Sequence, residues 1–143
     1  MGSLVVGYGN DLRSDDGAGR VVADRISALE LPGVSVRSVV QLTPELALEM
    51  AEVNTVIFVD ASVEVSEITA TEVTPDAQRQ SAMSHFSTPE RLLAMTAEVG
   101  TPPSQVLAIS IPVTDIGLGM ELTPMTAIGV DQAVAMVTEI VTG

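Results

Sequence analysis

Cysteine is absent from the 143 residues, which removes disulfides, thiolate metal ligands and nucleophilic cysteine chemistry together. The cytoplasm is then the simplest expected address. Aromatic residues are almost absent too: Tyr8, Phe58 and Phe86 are the only ones, so Val, Ile, Leu, Ala and seven Met must fill the interior. Basic residues are scarce, with 6 Lys and Arg against 19 Asp and Glu, for a formal charge of −13. Such a chain repels phosphate backbones and anionic membrane surfaces and offers no clustered cations for counterion release, which speaks against nucleic acid and membrane as partners. The acidic surplus suits solubility, or a basic protein partner. Met1-Gly2-Ser3-Leu4-Val5-Val6 has no basic region before its apolar run and does not read as a signal peptide. No uncharged apolar run is long enough to span a bilayer, and the lack of Ser or Thr at position 6 weakens a myristoylation signal.

What remains is an aliphatic chain, 46% hydrophobic and 17% charged, of a length that suits one domain over residues 1–143. Ser3 to Tyr8 is an apolar run closed by Gly7-Tyr8-Gly9-Asn10, which suits a strand buried on both faces. Ala18, Val22, Ile26 and Leu29 then recur at helical spacing, with Asp15 or Asp16 as N-cap and Pro32-Gly33 as the stop. Val34 to Val40 reads as a second strand, and Thr43-Pro44-Glu45 caps a short helix running to about Val53. Thr55 to Val59 is a continuous β-branched and aromatic run, a central parallel strand ending on Asp60. Ser66 to Thr74 alternates as an exposed edge strand, Pro75 to Ser87 is a loop, and Thr88-Pro89-Glu90 caps a helix with Leu92, Leu93, Thr96 and Val99 as its buried stripe. Gln105 to Val113 is the last strand, and Thr123-Pro124 opens a closing helix with Ile128, Val130, Val134, Val137 and Val141 on one broad face. Strands alternating with helices predict a three-layer α/β fold: a twisted, mainly parallel sheet of five strands with one antiparallel edge strand and helices on both faces. Ligands in such sheets sit beyond the carboxyl ends of the strands.

Gly7-Tyr8-Gly9-Asn10 invites a dinucleotide reading, but the third glycine of that fingerprint falls at Leu12, and Asp11, Asp15 and Asp16 put negative charge where a pyrophosphate would bind. The same carboxylates suit a cation. Asp15-Asp16 at a strand-to-helix junction has a plain explanation as a cap, yet one Asp suffices for that. Asp60 closes a buried strand where sites form, or simply occupies a turn. His85, the only histidine, is either a ligand or an incidental loop residue. Together Asp16, Asp60 and His85, drawn from three separate loops, supply a mixed oxygen and nitrogen set suited to nickel, zinc or a similar divalent ion, with a position left open for water or substrate. No His-Glu-x-x-His helix or Gly-x-Ser-x-Gly elbow offers a rival centre.

At these residues the chain resembles the hydrogenase maturation proteases. Val5-Val6-Gly7-Tyr8-Gly9-Asn10-Asp11-Leu12-Arg13-Ser14-Asp15-Asp16-Gly17-Ala18-Gly19 is similar to that family's amino-terminal signature. Val56-Ile57-Phe58-Val59-Asp60-Ala61 resembles its second block, and Ser84-His85 followed by Leu92-Leu93 its third. The resemblance implies that Asp16, Asp60 and His85 are the metal-binding and catalytic positions. It implies a single cut that removes the carboxy-terminal extension of a nickel-iron hydrogenase large-subunit precursor, with the nickel borne by that substrate and recognised through these residues. A monomer is expected. Many members carry Asp-Gly-Gly-Thr after strand two; here the stretch reads Val40-Gln41-Leu42-Thr43, leaving no carboxylate and Gln41 as a substitute. The Gln41 to Leu46 stretch is similar to members serving bidirectional, NAD-linked hydrogenases. Asp15 and Glu45 are candidates for a general acid or base. The rival reading from another class is a nickel-sensing or metal-carrying chaperone that uses the same three residues and cuts nothing.

Overall fold

A computed structural model describes residues 2–9, 14–76, 87–113 and 122–143. The strands are β1 (Ser3–Tyr8), β2 (Val34–Val39), β3 (Thr55–Ser62), β4 (Thr69–Glu72) and β5 (Gln105–Pro112). The helices are α1 (Ala18–Ala28), α2 (Leu46–Met50), α3 (Pro89–Val99) and α4 (Pro124–Thr142), and a single 3-10 turn, Ser14–Gly17, leads into α1. The sheet has five strands in the order β2-β1-β3-β5-β4. All neighbours pair in parallel except β4, which runs antiparallel against β5 at the edge.

Side-chain alternation divides the core in two. On one face Leu4, Val6, Val56, Phe58 and Val106 pack against Leu46, Ala47 and Met50 of α2 and Leu92 and Leu93 of α3. On the other, Val5, Ile57, Val59, Ile109 and Ile111 meet Val22 and Ile26 of α1 and Val130, Ala133 and Val137 of α4. Burying each large apolar side chain on this scale contributes on the order of 1.5–3 kcal/mol. The three layers and the mixed sheet are those the sequence predicts.

Several boundaries and faces differ from the sequence reading. Gly17, not Asp15 or Asp16, is the N-cap of α1, and no side chain caps it, because the two acids fall inside the preceding 3-10 turn. Helix α2 is only five residues long: Leu46, Ala47 and Leu48 donate three residues back, so Thr43-Pro44-Glu45 forms tight turns instead of a cap. Leu29, Val99 and Ile128 are exposed at 50%, 50% and 59%. The first lies just past the end of α1 and the second on the last residue of α3. In α4 the buried stripe is Thr126, Gly129, Val130, Ala133 and Val137, which turns Ile128 to the flank. By length and composition α4 would suffice to cross a membrane, but it carries Asp131 and Glu139 and lays this stripe on the sheet and α1. The Thr88 cap holds as expected, its hydroxyl accepting from the Arg91 N–H at 3.2 Å.

The strand order fixes where a site can form. From β1 the chain passes through α1 to β2 on one side, then through α2 back across to β3 on the other. The crevice at the carboxyl ends of β1 and β3 is therefore the topological switch point. There the start of α1 lies directly on strand backbone: a Cβ on Gly19 would stand 2.3 Å from the Val59 carbonyl oxygen and 2.8 Å from that of Tyr8. Helix propensity alone makes Gly19→Ala favourable by about 1 kcal/mol. The clash with two strand carbonyls outweighs it, and we expect a net loss of about 1–3 kcal/mol in denaturant unfolding. An unchanged or raised stability would show that α1 is free to lift from the sheet.

Candidate functional site

Three strands each end their buried run on a polar residue in the same row. Along the α2/α3 face β1 reads Leu4, Val6, Tyr8; β3 reads Val56, Phe58, Asp60; β5 reads Val106, Ala108, Ser110. The register pairs Gly7 with Val59, and Asp60 with Ser110, so these tips are neighbours across the sheet. The Tyr8 hydroxyl donates to Asp60 Oδ2 at 3.3 Å, and the Ser110 hydroxyl donates to Asp60 Oδ1 at 3.2 Å. The Tyr8 ring is steadied by an edge-on contact with Phe58, centroids 6.5 Å apart and planes at 87°.

Asp60 is thus a sheet residue and not a loop residue, since β3 continues to Ser62, paired with Pro112. The paired neighbour explains why the strand does not end on its charged residue. Half-burial pushes the Asp60 carboxyl above the ordinary carboxylate range; the Ser110 and Tyr8 hydroxyls pull it back in part, and the charges of Asp16 and Glu90 push it up further. Burial and the adjoining Asp60 likewise raise the Tyr8 phenol, which remains a donor.

Asp16 reaches this edge from the 3-10 turn rather than from an open loop. Gly9 makes the approach possible: its φ of +145° belongs to the glycine-favoured region, and a Cβ there would lie 2.1 Å from the Asp16 carbonyl oxygen. Gly9 and Gly19 therefore serve the close packing of the chain on itself. Asp16 and Asp60 are brought together; the third expected residue, His85, lies outside the described residues. The Ser87 N–H donates to the Leu42 carbonyl at 2.9 Å, and the following residues open α3, whose Glu90 acts on both Asp60 and Tyr8. Among the described residues no three His, Cys, Asp or Glu side chains gather closely enough to hold an ion.

Gln41 follows β2 and is exposed. Glu45 is fully exposed at the start of α2, and a hydrogen bond from Thr43 holds its carboxyl below the usual range. Nothing in the surroundings of Glu45 tunes it toward proton transfer near neutrality. Sequence reading missed Tyr8, Ser110 and Glu90 as members of the site. The signal for the first two was present: Tyr8, Asp60 and Ser110 are the next positions, at period two, after the buried residues of three strands.

The fold defines a class: a doubly wound α/β domain with paired acids at its switch point. Neither a protein-family model nor a curated protein matches the chain. Among solved structures it has the fold of the hydrogenase maturation endopeptidases. Over 96% of this chain and 90% of the other it superposes on HybD from E. coli, with a TM-score of 0.74 at 20% identity. A hydrogenase 2 maturation peptidase from a Thaumarchaeota archaeon gives a TM-score of 0.73 at 25% identity, covering 98% of this chain and 97% of that one. The maturation protease HycI from Thermococcus kodakarensis gives 0.72 at 22% identity, covering 99% and 93%.

The raised Asp60 carboxyl has a measurable signature. Because the folded state holds this proton more tightly than the unfolded chain, the contribution of Asp60 to stability is greatest in acid and falls as pH rises through its folded pKa. Asp60→Asn keeps an oxygen acceptor between two hydroxyls that can each donate or accept, and carries no charge to desolvate. We expect Asp60→Asn to melt above wild type at pH 7 and level with it in acid below the ordinary carboxylate range. A lower melting temperature at neutral pH would show that the Asp60 charge is stabilised by its surroundings.

Proposed function

We propose that this chain is an endopeptidase that removes the carboxy-terminal extension of a nickel-iron hydrogenase large-subunit precursor after nickel insertion, reading the metal through Asp16, Asp60 and His85. One observation carries the proposal: the half-buried Asp60 carboxylate stands at the β1/β3 switch point with the charge of Asp16 acting on it, on a fold shared with hydrogenase maturation endopeptidases. His85, outside the described residues, enters the proposal through the resemblance carried by Ser84-His85.

The donor chemistry fits. Two carboxylates and one imidazole suit a divalent nickel ion and leave positions for the substrate's own ligands. A substrate-borne ion supplies Lewis acidity toward a neighbouring carbonyl and acidifies bound water. The chain's part is to present anionic oxygens at a fixed place, so that a precursor without its ion lacks the positive charge these oxygens read. Cleavage then reports that nickel has been loaded.

Intact-mass measurement after incubation with nickel-loaded and nickel-free precursor tests this reading. Loss of the extension is expected only from the loaded form; an unchanged mass with binding retained would instead identify a metal-sensing chaperone. His85→Ala and Asp16→Asn are expected to abolish processing while shifting stability by only about 0.5 kcal/mol, the range for substitutions outside the core. Processing that survives either change would remove that residue from the site.

A further inference from the structure

Asp60 is a short side chain whose carboxylate is held at both ends. Each of its oxygens accepts one hydroxyl hydrogen bond, from Tyr8 at 3.3 Å and from Ser110 at 3.2 Å, and these donors sit on the two strands flanking β3. Rotation of the carboxylate about its Cβ–Cγ bond would break both contacts at once. Each oxygen keeps a second lone pair, so the hydroxyls fix the plane of the group without consuming its capacity to bind. Neither hydroxyl is needed for core packing: Tyr8 packs on Phe58 ring against ring, and Ser110 is only partly buried.

We propose that Tyr8 and Ser110 are positioning residues that clamp the Asp60 carboxylate in one orientation, so that its free lone pairs face the substrate's metal ion. This rests on the assignment of Asp60 as a metal-reading residue, and it adds two residues that act through Asp60 and do not themselves touch the ion. Partners that orient a ligating group in this way are commonly worth 10- to 100-fold in metal affinity.

The test uses Tyr8→Phe, Ser110→Ala and their combination, each of which deletes only an oxygen, with Ser110→Thr as the variant that restores a hydroxyl on a strand. Two readouts are taken on the full chain. Crystal structures of wild type and the double variant give the Asp60 carboxylate plane without any metal; a rotated or multiple orientation in the double variant supports the clamp, and an unchanged plane overturns it. Calorimetric titration with Ni2+ alone is expected to show about 10-fold weaker binding for either single variant and a return toward wild type for Ser110→Thr. Equal affinities across the series, with Asp60→Asn abolishing binding, would overturn the clamp while leaving the metal-reading assignment standing. If wild type binds no free Ni2+, as a substrate-borne ion allows, the carboxylate plane alone decides whether the clamp exists, and the precursor-processing test decides the metal-reading assignment.

Discussion

Everything at the carboxyl edge depends on one backbone-to-backbone contact. The first turn of α1 lies on the carbonyls of Tyr8 and Val59 with no side chain between, because Gly19 has none to interpose, and Gly9 gives the same freedom to the Asp16 turn. This contact brings the only helix that bridges β1 and β2 down into the switch point. It places an acid from the turn within electrostatic reach of an acid on β3. A methyl group at either position would collide with backbone carbonyls, of Tyr8 and Val59 at Gly19 and of Asp16 at Gly9, and force the chain apart where the two acids meet.

The pairing of those acids runs against stability. Asp60 is partly desolvated, and the charges of Asp16 and Glu90 that act on it are of its own sign. Among the described residues the hydroxyls of Tyr8 and Ser110 oppose that, and neutral donors compensate a buried charge incompletely. A cation at this row would relieve that repulsion.

The layered fold was legible because its signals are long. Val56 to Val59 is apolar at every position, which only a strand covered on both faces requires, and Thr88-Pro89-Glu90 is a helix start that local chemistry enforces. Where the sequence reading failed, tertiary contacts had overruled local preference. The Thr43-Pro44 cap gave way because the chain must turn at once from Leu42 in the core into a five-residue helix. Asp60 was read as a strand end, since a charge usually ends one, but Ser110 on the neighbouring strand supports it. Asp16 was visible as an acid at a strand-to-helix junction and Asp60 as one closing an apolar run. Tyr8 and Ser110 left a fainter trace, the period-two position after an apolar residue, which signifies little until register aligns it.

Register also governs what happens at the two margins of the sheet. On one side β4 offers four residues, Thr69 to Glu72, with Val73 returning its N–H to Val106. On the other, β2 carries Arg37, bound to Glu49 of α2, and Ser38, which accepts from Arg20 of α1. An open sheet leaves unpaired amides along its rims, where a second chain could add as a further strand. Here one rim is a strand of four residues, and the other has side chains fastened to the helices on both faces of the sheet. With a formal charge of −13 on every copy, lateral polymerisation along either rim works against coulombic repulsion.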